Sequence, residues 1–215
     1  MRTLAIVQAR TNSSRLPGKV LQTLGNVPMI IFQLRRISKS KRINKIILAT
    51  SDCESDNELA RVVQKEGVSL FRGSLNDVLK RYWDCAKDQP YDAIVRLTGD
   101  CPFSDPQLID EIVEEFSKDE FDYISNCSDD NQLSVPDGFD IEIFRLSALK
   151  QAHQNAKLDY QREHVTPWMR SKESNLLWKH YRHSPIRTYY RVTVDDPVDW
   201  HQQNLDHNPT HYSSL

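Results

Sequence analysis

The sequence has no apolar run long enough to cross a bilayer, which argues against a membrane-spanning helix. It has no C-x-x-C pair: Cys53, Cys85, Cys101 and Cys127 are scattered. That spacing argues against a structural zinc site and fits free thiols in a reducing cytoplasm. It has no excess of one charge, with 28 Lys and Arg against 30 Asp and Glu and a net charge of −2. Without a general basic field, binding to nucleic acid through the phosphate backbone is disfavoured. Both common phosphate fingerprints are missing too. There is neither G-x-G-x-x-G nor G-x-x-x-x-G-K-[ST], so a dinucleotide cofactor and a Walker-type NTPase lose support. Met1-Arg2-Thr3 shows no cleavable signal pattern. No internal repeat or interdomain linker is visible, and 215 residues suffice for a single domain, 1–215, with a full core.

What is present is an alternation of strand and helix signals. Leu4 to Val7, Lys45 to Thr50, Val68 to Phe71 and Ala93 to Leu97 read as strands. Helices are expected between them. One has Pro28 in its first turn, one runs from Glu58 to Glu66 and stops at Gly67, and one covers Asp77 to Lys87. Ser74 or Asn76 is a candidate cap for the last of these. Asp105 and Pro106 read as the N-cap and first residue of a fourth helix. This order predicts an α/β fold, a mostly parallel sheet with helices on both faces. Further on, Asp140 to Phe144 alternates with period two and predicts a half-buried strand. Leu146 to Ala156 predicts a helix, Leu176 to His183 and Tyr190 to Val194 predict strands, and Ser128 to Pro136 a loop. Residues 207–215 are polar and expected to form a loose tail.

Ligands of open parallel sheets bind beyond the carboxyl ends of the strands. Four polar clusters fall at that edge: the loop from Gln8 to Lys19, Ser51-Asp52, Arg72-Gly73-Ser74 and Thr98-Gly99-Asp100. The first of these carries Arg10, Arg15 and Lys19 around Ser13-Ser14 and a Pro-Gly turn. Backbone N–H donors and fixed cations after a strand suit a polyphosphate, with Arg able to hold two oxygens and Lys acting as a point charge. Asp100 follows a strand and a glycine, where a carboxylate can face the cleft and bind Mg²⁺, a hard cation suited to oxygen ligands and triphosphate. Asp195 is the natural second ligand, while Asp196 should point elsewhere on an extended chain. Cys101 is expected to pack, since no histidine is evident beside it. Arg81 lies at least one turn into the helix after Ser74; it ranks below Ser74 as a ligand contact, and its plain reading is a surface charge. The basic run around Arg35-Arg36 reads as a solvated helix end, and His201, His207 and His211 match no ordered metal site.

In order along the chain, Ile6-Val7-Gln8-Ala9-Arg10, Arg15-Leu16-Pro17-Gly18-Lys19, Arg72-Gly73-Ser74 with Asp77-Val78-Leu79, and Thr98-Gly99-Asp100-Cys101-Pro102 form a series. It continues through Pro136-Asp137-Gly138-Phe139-Asp140, Arg162-Glu163-His164-Val165-Thr166-Pro167 and Thr193-Val194-Asp195-Asp196-Pro197. This series resembles the sugar-acid cytidylyltransferases, which include the CMP-Kdo and CMP-sialate synthetases, and most of all the spore-coat polysaccharide branch. The resemblance spans Leu4 to about Trp200. It implies a Rossmann-like nucleotide-diphospho-sugar transferase fold and a reaction of CTP with a sugar acid, giving a CMP-sugar and pyrophosphate. It further implies that Gln8, Ala9, Arg10, Ser13, Ser14, Arg15, Lys19, Arg72, Ser74, Thr98 and Gly99 surround the nucleotide, with Ser74 near the base. By the same resemblance Arg10, Lys19, Asp100 and Asp195 are catalytic, and the two aspartates hold Mg²⁺. Asp140, Glu142, Arg162, Glu163 and His164 would form the acceptor side. A plain structural reading makes Glu142 the outward residue of its strand and Glu163 a solvated helix residue. Relatives are often homodimers. They also usually continue with an apolar helix where Asn208 to Leu215 is polar. A nucleotidyltransferase using another NTP or acceptor, or a non-catalytic binding module, are the competing readings.

Overall fold

The computed structural model describes residues 1–13, 15–118, 120–127, 134–184, 192–199 and 201. Its first strand, β1 (Thr3–Gln8), is followed by a short 3-10 turn at Lys19–Leu21 and a small hairpin, β2 (Thr23–Leu24) with β3 (Val27–Pro28). Then come α1 (Met29–Ile37), β4 (Lys45–Ser51), α2 (Asn57–Lys65), β5 (Ser69–Gly73), α3 (Val78–Ala86), β6 (Ala93–Thr98) and α4 (Pro106–Phe116). The chain continues through β7 (Tyr123–Ser125), β8 (Glu142–Arg145), α5 (Leu146–Asn155), α6 (Asp159–His164) and β9 (Trp178–His180). Seven strands make one sheet in the order β5-β4-β1-β6-β8-β7-β9. The first four are parallel, and β8 runs antiparallel to both β6 and β7.

The position of β1 follows from its composition. Leu4, Ala5, Ile6 and Val7 are all fully buried. A strand apolar on both faces is stable only where both faces are covered, at the centre of such a sheet. Ala5 and Val7 pack with α1, α2 and α4 through Leu34, Leu59, Val63 and Ile112. Leu4 and Ile6 pack on the opposite face with α3 and α5 through Leu79, Tyr82 and Leu149. From β1 the chain steps outward to β4 and β5, then returns to place β6 on the other side of β1. The strand order therefore reverses between β1 and β6, and a ligand crevice opens at their carboxyl ends.

Several local expectations need correction. Pro28 caps α1 from outside, not from within its first turn. Asp77 caps α3, its side chain accepting from Lys80 N at 2.8 Å, while the Ser74 hydroxyl instead accepts from Asp77 N at 3.0 Å. The strand expected to be half-buried, β8, is buried on both faces: Glu142 lies inside because Arg96 stands opposite it in the sheet register. The long strand expected from Leu176 shrinks to β9. Val192 to Val194 form no strand but are tied by two backbone bonds, Val192 N to Asp137 O at 2.8 Å and Val194 N to Asp100 O at 2.9 Å. Tyr190, residues 128–133 and the tail 207–215 lie outside the described residues. The β2–β3 hairpin, β7 and α6 carry too short a pattern to stand out in the sequence.

Candidate active site

The ends of β1 and β6 approach closely. Gly99 N donates to Gln8 O at 2.8 Å, and a Cβ on Gly99 would stand 2.8 Å from the Ala9 Cβ. Only glycine permits that approach. Behind it the buried Gln33 of α1 donates to Thr98 O at 2.8 Å and to the Ser104 hydroxyl at 3.1 Å, which fixes the turn after β6. The loop after β1 is pinned from the other side. Thr11 donates to Asp56 Oδ1 through both its N–H and its hydroxyl, each at 2.7 Å. Asp56 is fully buried and also accepts from the Ser51 amide and hydroxyl. Burial pushes the Asp56 carboxyl up, yet these bonds hold it below the ordinary carboxylate value. The loop closes where Gly18 N donates to Thr11 O at 2.8 Å, with Gly18 at a left-handed φ of 69°. Lys19 follows at the start of the 3-10 turn and points inward.

Three sequence-distant groups meet there. Lys19, only 8% exposed, places its Nζ 3.2 Å from Asp195 Oδ1, 3.4 Å from Asp100 Oδ2 and 2.9 Å from Val194 O. Arg15 reaches the same Asp195 oxygen at 3.0 Å from the solvent side. Gly138 makes room for the segment that carries Asp195: its φ is 106°, and a Cβ there would lie 2.7 Å from Thr193 N. Burial raises the Asp100 carboxyl, but the Lys19 charge and the Thr98 hydroxyl outweigh it and keep it below the usual range. Asp196 turns away and caps the following turn, accepting from Val198 N at 2.8 Å and Asp199 N at 3.0 Å. Cys101 is buried, and burial pushes its thiol well up, which disfavours a thiolate nucleophile.

The donor chemistry of Asp100 and Asp195 fits a hard divalent cation. They are carboxylates, and the one sulfur beside them, Cys101 Sγ at 3.7 Å from Asp100 Oδ1, is held as the protonated thiol, a poor ligand. Among the described residues no group of three or more His, Cys, Asp or Glu forms a closed cage. Mg²⁺ usually takes one or two carboxylates and completes its shell with water and substrate phosphate.

The remaining candidates are distributed unevenly. Arg10 is exposed beyond β1, and the Ser13 hydroxyl accepts from Leu16 N at 3.4 Å inside the loop. Ser14 lies outside the described residues. Arg72 is engaged with the loop after β4, donating to Ser51 O at 2.9 Å, Cys53 O at 2.7 Å and Asn57 Oδ1 at 2.7 Å. Asp140 shares the Cys101 thiol with Asp100: the Sγ lies 3.9 Å from Asp140 Oδ2 and 3.7 Å from Asp100 Oδ1. The Asp140 carboxyl is pushed up to about 6 by burial and by the charges of Asp137, Glu142 and Asp100. Glu142 has both oxygens occupied: Tyr123 and Thr166 hydroxyls donate to Oε1 at 2.6 Å each, and Arg96 pairs with Oε2. Arg162 grips both oxygens of Asp77, at 3.0 and 2.5 Å, and so ties α6 to the start of α3. Glu163 and His164 are exposed on α6. Sequence reasoning did not single out Asp56 or Gln33, and its plain reading of Arg81 as a surface charge is wrong, since Arg81 is buried. The first two carry no local signal. Arg81 does, because it stands three residues after Val78 and four before Cys85, on the buried stripe of α3.

A family model described as Cytidylyltransferase matches residues 4–208. The spore coat polysaccharide biosynthesis protein SpsF of Bacillus subtilis is 34% identical over 211 residues, covering 92% of this chain and 82% of that protein. The solved structure of a cytidylyltransferase from Leptospira borgpetersenii superposes with a TM-score of 0.90 at 34% identity, covering 100% of this chain and 89% of that one. The structure of CMP:2-keto-3-deoxy-manno-octonic acid synthetase complexed with CTP superposes with a TM-score of 0.74 at 14% identity, covering 95% of this chain and 98% of that one. At that identity the likeness shows the fold. Among the described residues no helix is long and apolar enough to cross a membrane.

Proposed function

The chain belongs to the cytidylyltransferase family and is a nucleotidyltransferase, and on that premise we propose that it transfers CMP from CTP to a sugar acid and releases pyrophosphate. The observation that carries the proposal is the convergence of Lys19, Asp100 and Asp195 at the reversal point of the sheet. The hydroxyl of the sugar acid attacks the α-phosphorus in line. A new bond forms between the hydroxyl oxygen and the α-phosphorus, the hydroxyl proton passes to solvent, and the bond from the α-phosphorus to the bridging oxygen breaks, its electron pair leaving with pyrophosphate. Arg10, Arg15 and Lys19 neutralise the triphosphate and the departing pyrophosphate. Asp100 and Asp195 would hold Mg²⁺, which would supply further neutralisation of the phosphate oxygens. Catalysis of this kind is chiefly positioning and electrostatic stabilisation. Asp140, beside Asp137 on the β8 side, faces the acceptor. The CTP complex of the synthetase with the same fold supports the choice of nucleotide, and the likeness to SpsF supports a product destined for a surface polysaccharide. Within one domain, a homodimer in the cytoplasm is the expected setting.

The test is pyrophosphate release from the purified chain with Mg²⁺, each of the four NTPs and a panel of Kdo-like, sialic, pseudaminic and legionaminic acids. Release with CTP and one sugar acid is expected. Release only with another NTP, or no release with CTP and any of these acids, overturns the proposal.

A further inference from the structure

The flank of the cleft toward β5 holds two buried polar groups left unsatisfied among the described residues. Arg81 is 2% exposed, and among the described residues its side chain makes a single hydrogen bond, from Nη1 to Ser74 O at 2.9 Å. Its Nε has no partner. No described carboxylate pairs with it; burial works against its charge, Arg10 adds repulsion, and Asp56 and Asp52 act only as charges at a distance. Arg162 and Arg35 show what the unused edge can do. In each, Nε and Nη2 together grip the two oxygens of one carboxylate. In Arg81 that paired edge makes no hydrogen bond among the described residues. The second group is Gln8 at the end of β1, whose buried Oε1 also lacks a partner. Strand alternation puts Gln8 on the face covered by Leu4 and Ile6, the face on which α3 packs. The Tyr82 hydroxyl donates to Ile6 O at 3.3 Å, so the α3 turn that bears Arg81 lies against the end of β1. Gly73 lets that turn come up under β5, since a Cβ there would stand 3.3 Å from Arg81 Cγ.

Unpaired buried donors and acceptors are costly unless a ligand completes them. The phosphate-handling groups lie between β1 and β6. Strands are spaced by about 4.8 Å, so β5 is roughly 10 Å from β1, which is the reach of a nucleoside from its α-phosphate. We propose that Arg81 reads the nucleobase, its paired Nε and Nη2 donors meeting the adjacent O2 and N3 acceptors of cytosine while Gln8 Oε1 accepts from the 4-amino group. This rests on the cytidylyl-transfer reading above. Uracil carries a hydrogen on N3, so donor would face donor and a buried guanidinium would stay unpaired.

The experiment is calorimetric titration, with Mg²⁺ and no acceptor, of the wild type, Arg81→Met and Arg81→Lys. The ligands are CTP, UTP, the pyrimidin-2-one riboside triphosphate that lacks the 4-amino group, and inorganic triphosphate. The wild type should prefer CTP to UTP and bind the pyrimidin-2-one compound more like CTP. Arg81→Met should weaken CTP about tenfold to a hundredfold while leaving UTP and triphosphate near wild type. Arg81→Lys keeps the charge without the paired donors and should lose the same discrimination, which covers the case in which the Met variant fails to fold. Variants that keep the CTP preference, or that lose CTP and triphosphate in parallel, overturn the assignment of Arg81. A wild type that shows no preference for CTP overturns the cytidylyl-transfer reading, and this proposal falls with it.

Discussion

Arg96 and Asp100 stand four residues apart along β6 and its following turn, and each belongs to a cluster of opposite charges. Arg96 pairs with Glu142, whose carboxylate also takes two hydroxyl donors, and the Glu142 side chain is 5% exposed. Asp100 shares Lys19 with Asp195, and its side chain is 34% exposed. The first cluster is closed on its acid side, where both Glu142 oxygens are used, while Arg96 Nε has no partner among the described residues. The second opens on the cleft, where the Lys19 ammonium serves both carboxylates and Arg15 joins Asp195 from the solvent side. The contrast separates scaffold from site better than residue type does. Glu142 fits the chemistry expected of a sugar-acid subsite, but its surroundings make it part of the sheet's frame.

Glu142→Ala gives the largest effect expected and tests the closed cluster. It strands a buried guanidinium and should cost about 3–5 kcal/mol in urea unfolding, with activity per folded molecule close to wild type. A stable variant with lost activity would move Glu142 into the site. Asp100→Asn tests the open cluster in the opposite sense. Pyrophosphate release should fall by about a hundredfold to a thousandfold while the melting temperature stays unchanged. Retained turnover would remove Asp100 from the machinery. Gly138→Ala sharpens the comparison by perturbing only the support of Asp195. A side chain at φ 106°, 2.7 Å from Thr193 N, should strain the chain by about 1–3 kcal/mol and reduce turnover through the displaced carboxylate. Equal activity in this variant would show that the 192–195 segment is not held by that contact.

The smallest effect concerns Asp140, whose folded-state carboxyl is raised to about 6. For a raised group, stability is fully present below the unfolded value near 4 and is lost as pH rises through about 6. Asp140→Asn removes that loss. Its stability relative to wild type should therefore increase from pH 4 to pH 8, by on the order of 1–3 kcal/mol in urea midpoints. Parallel stability curves at the two pH values would show that Asp140 is not titrating in this window.

The parallel half of the sheet was legible because its strands are short apolar runs separated by clear capping and turn residues. Leu4 to Val7 and Ala93 to Leu97 need no partner to be recognised. The convergence of Lys19 and Asp100 was legible from their places at strand ends. The β8 side was not, since Asp140 to Phe144 has the alternation of a solvent-facing strand until Arg96 is placed beside it. Arg72 and Arg162 looked available for ligands, yet the fold spends their donors on Ser51, Cys53, Asn57, Asp77 and His153. A sequence carries side-chain chemistry but not its saturation.

By itself, then, the sequence determined the α/β alternation, the central position of β1, the placing of a cationic loop and an aspartate at the ligand edge, and the family. These follow from local periodicity, capping and ordered motifs. The tertiary structure alone decided which charges are spent and which remain open: Glu142 closed by Arg96, Asp195 brought to Lys19 over 176 residues, Arg81 buried with an unused edge. The physical reason is that hydrogen-bond saturation and burial depend on neighbours distant in the chain, and no local pattern encodes those.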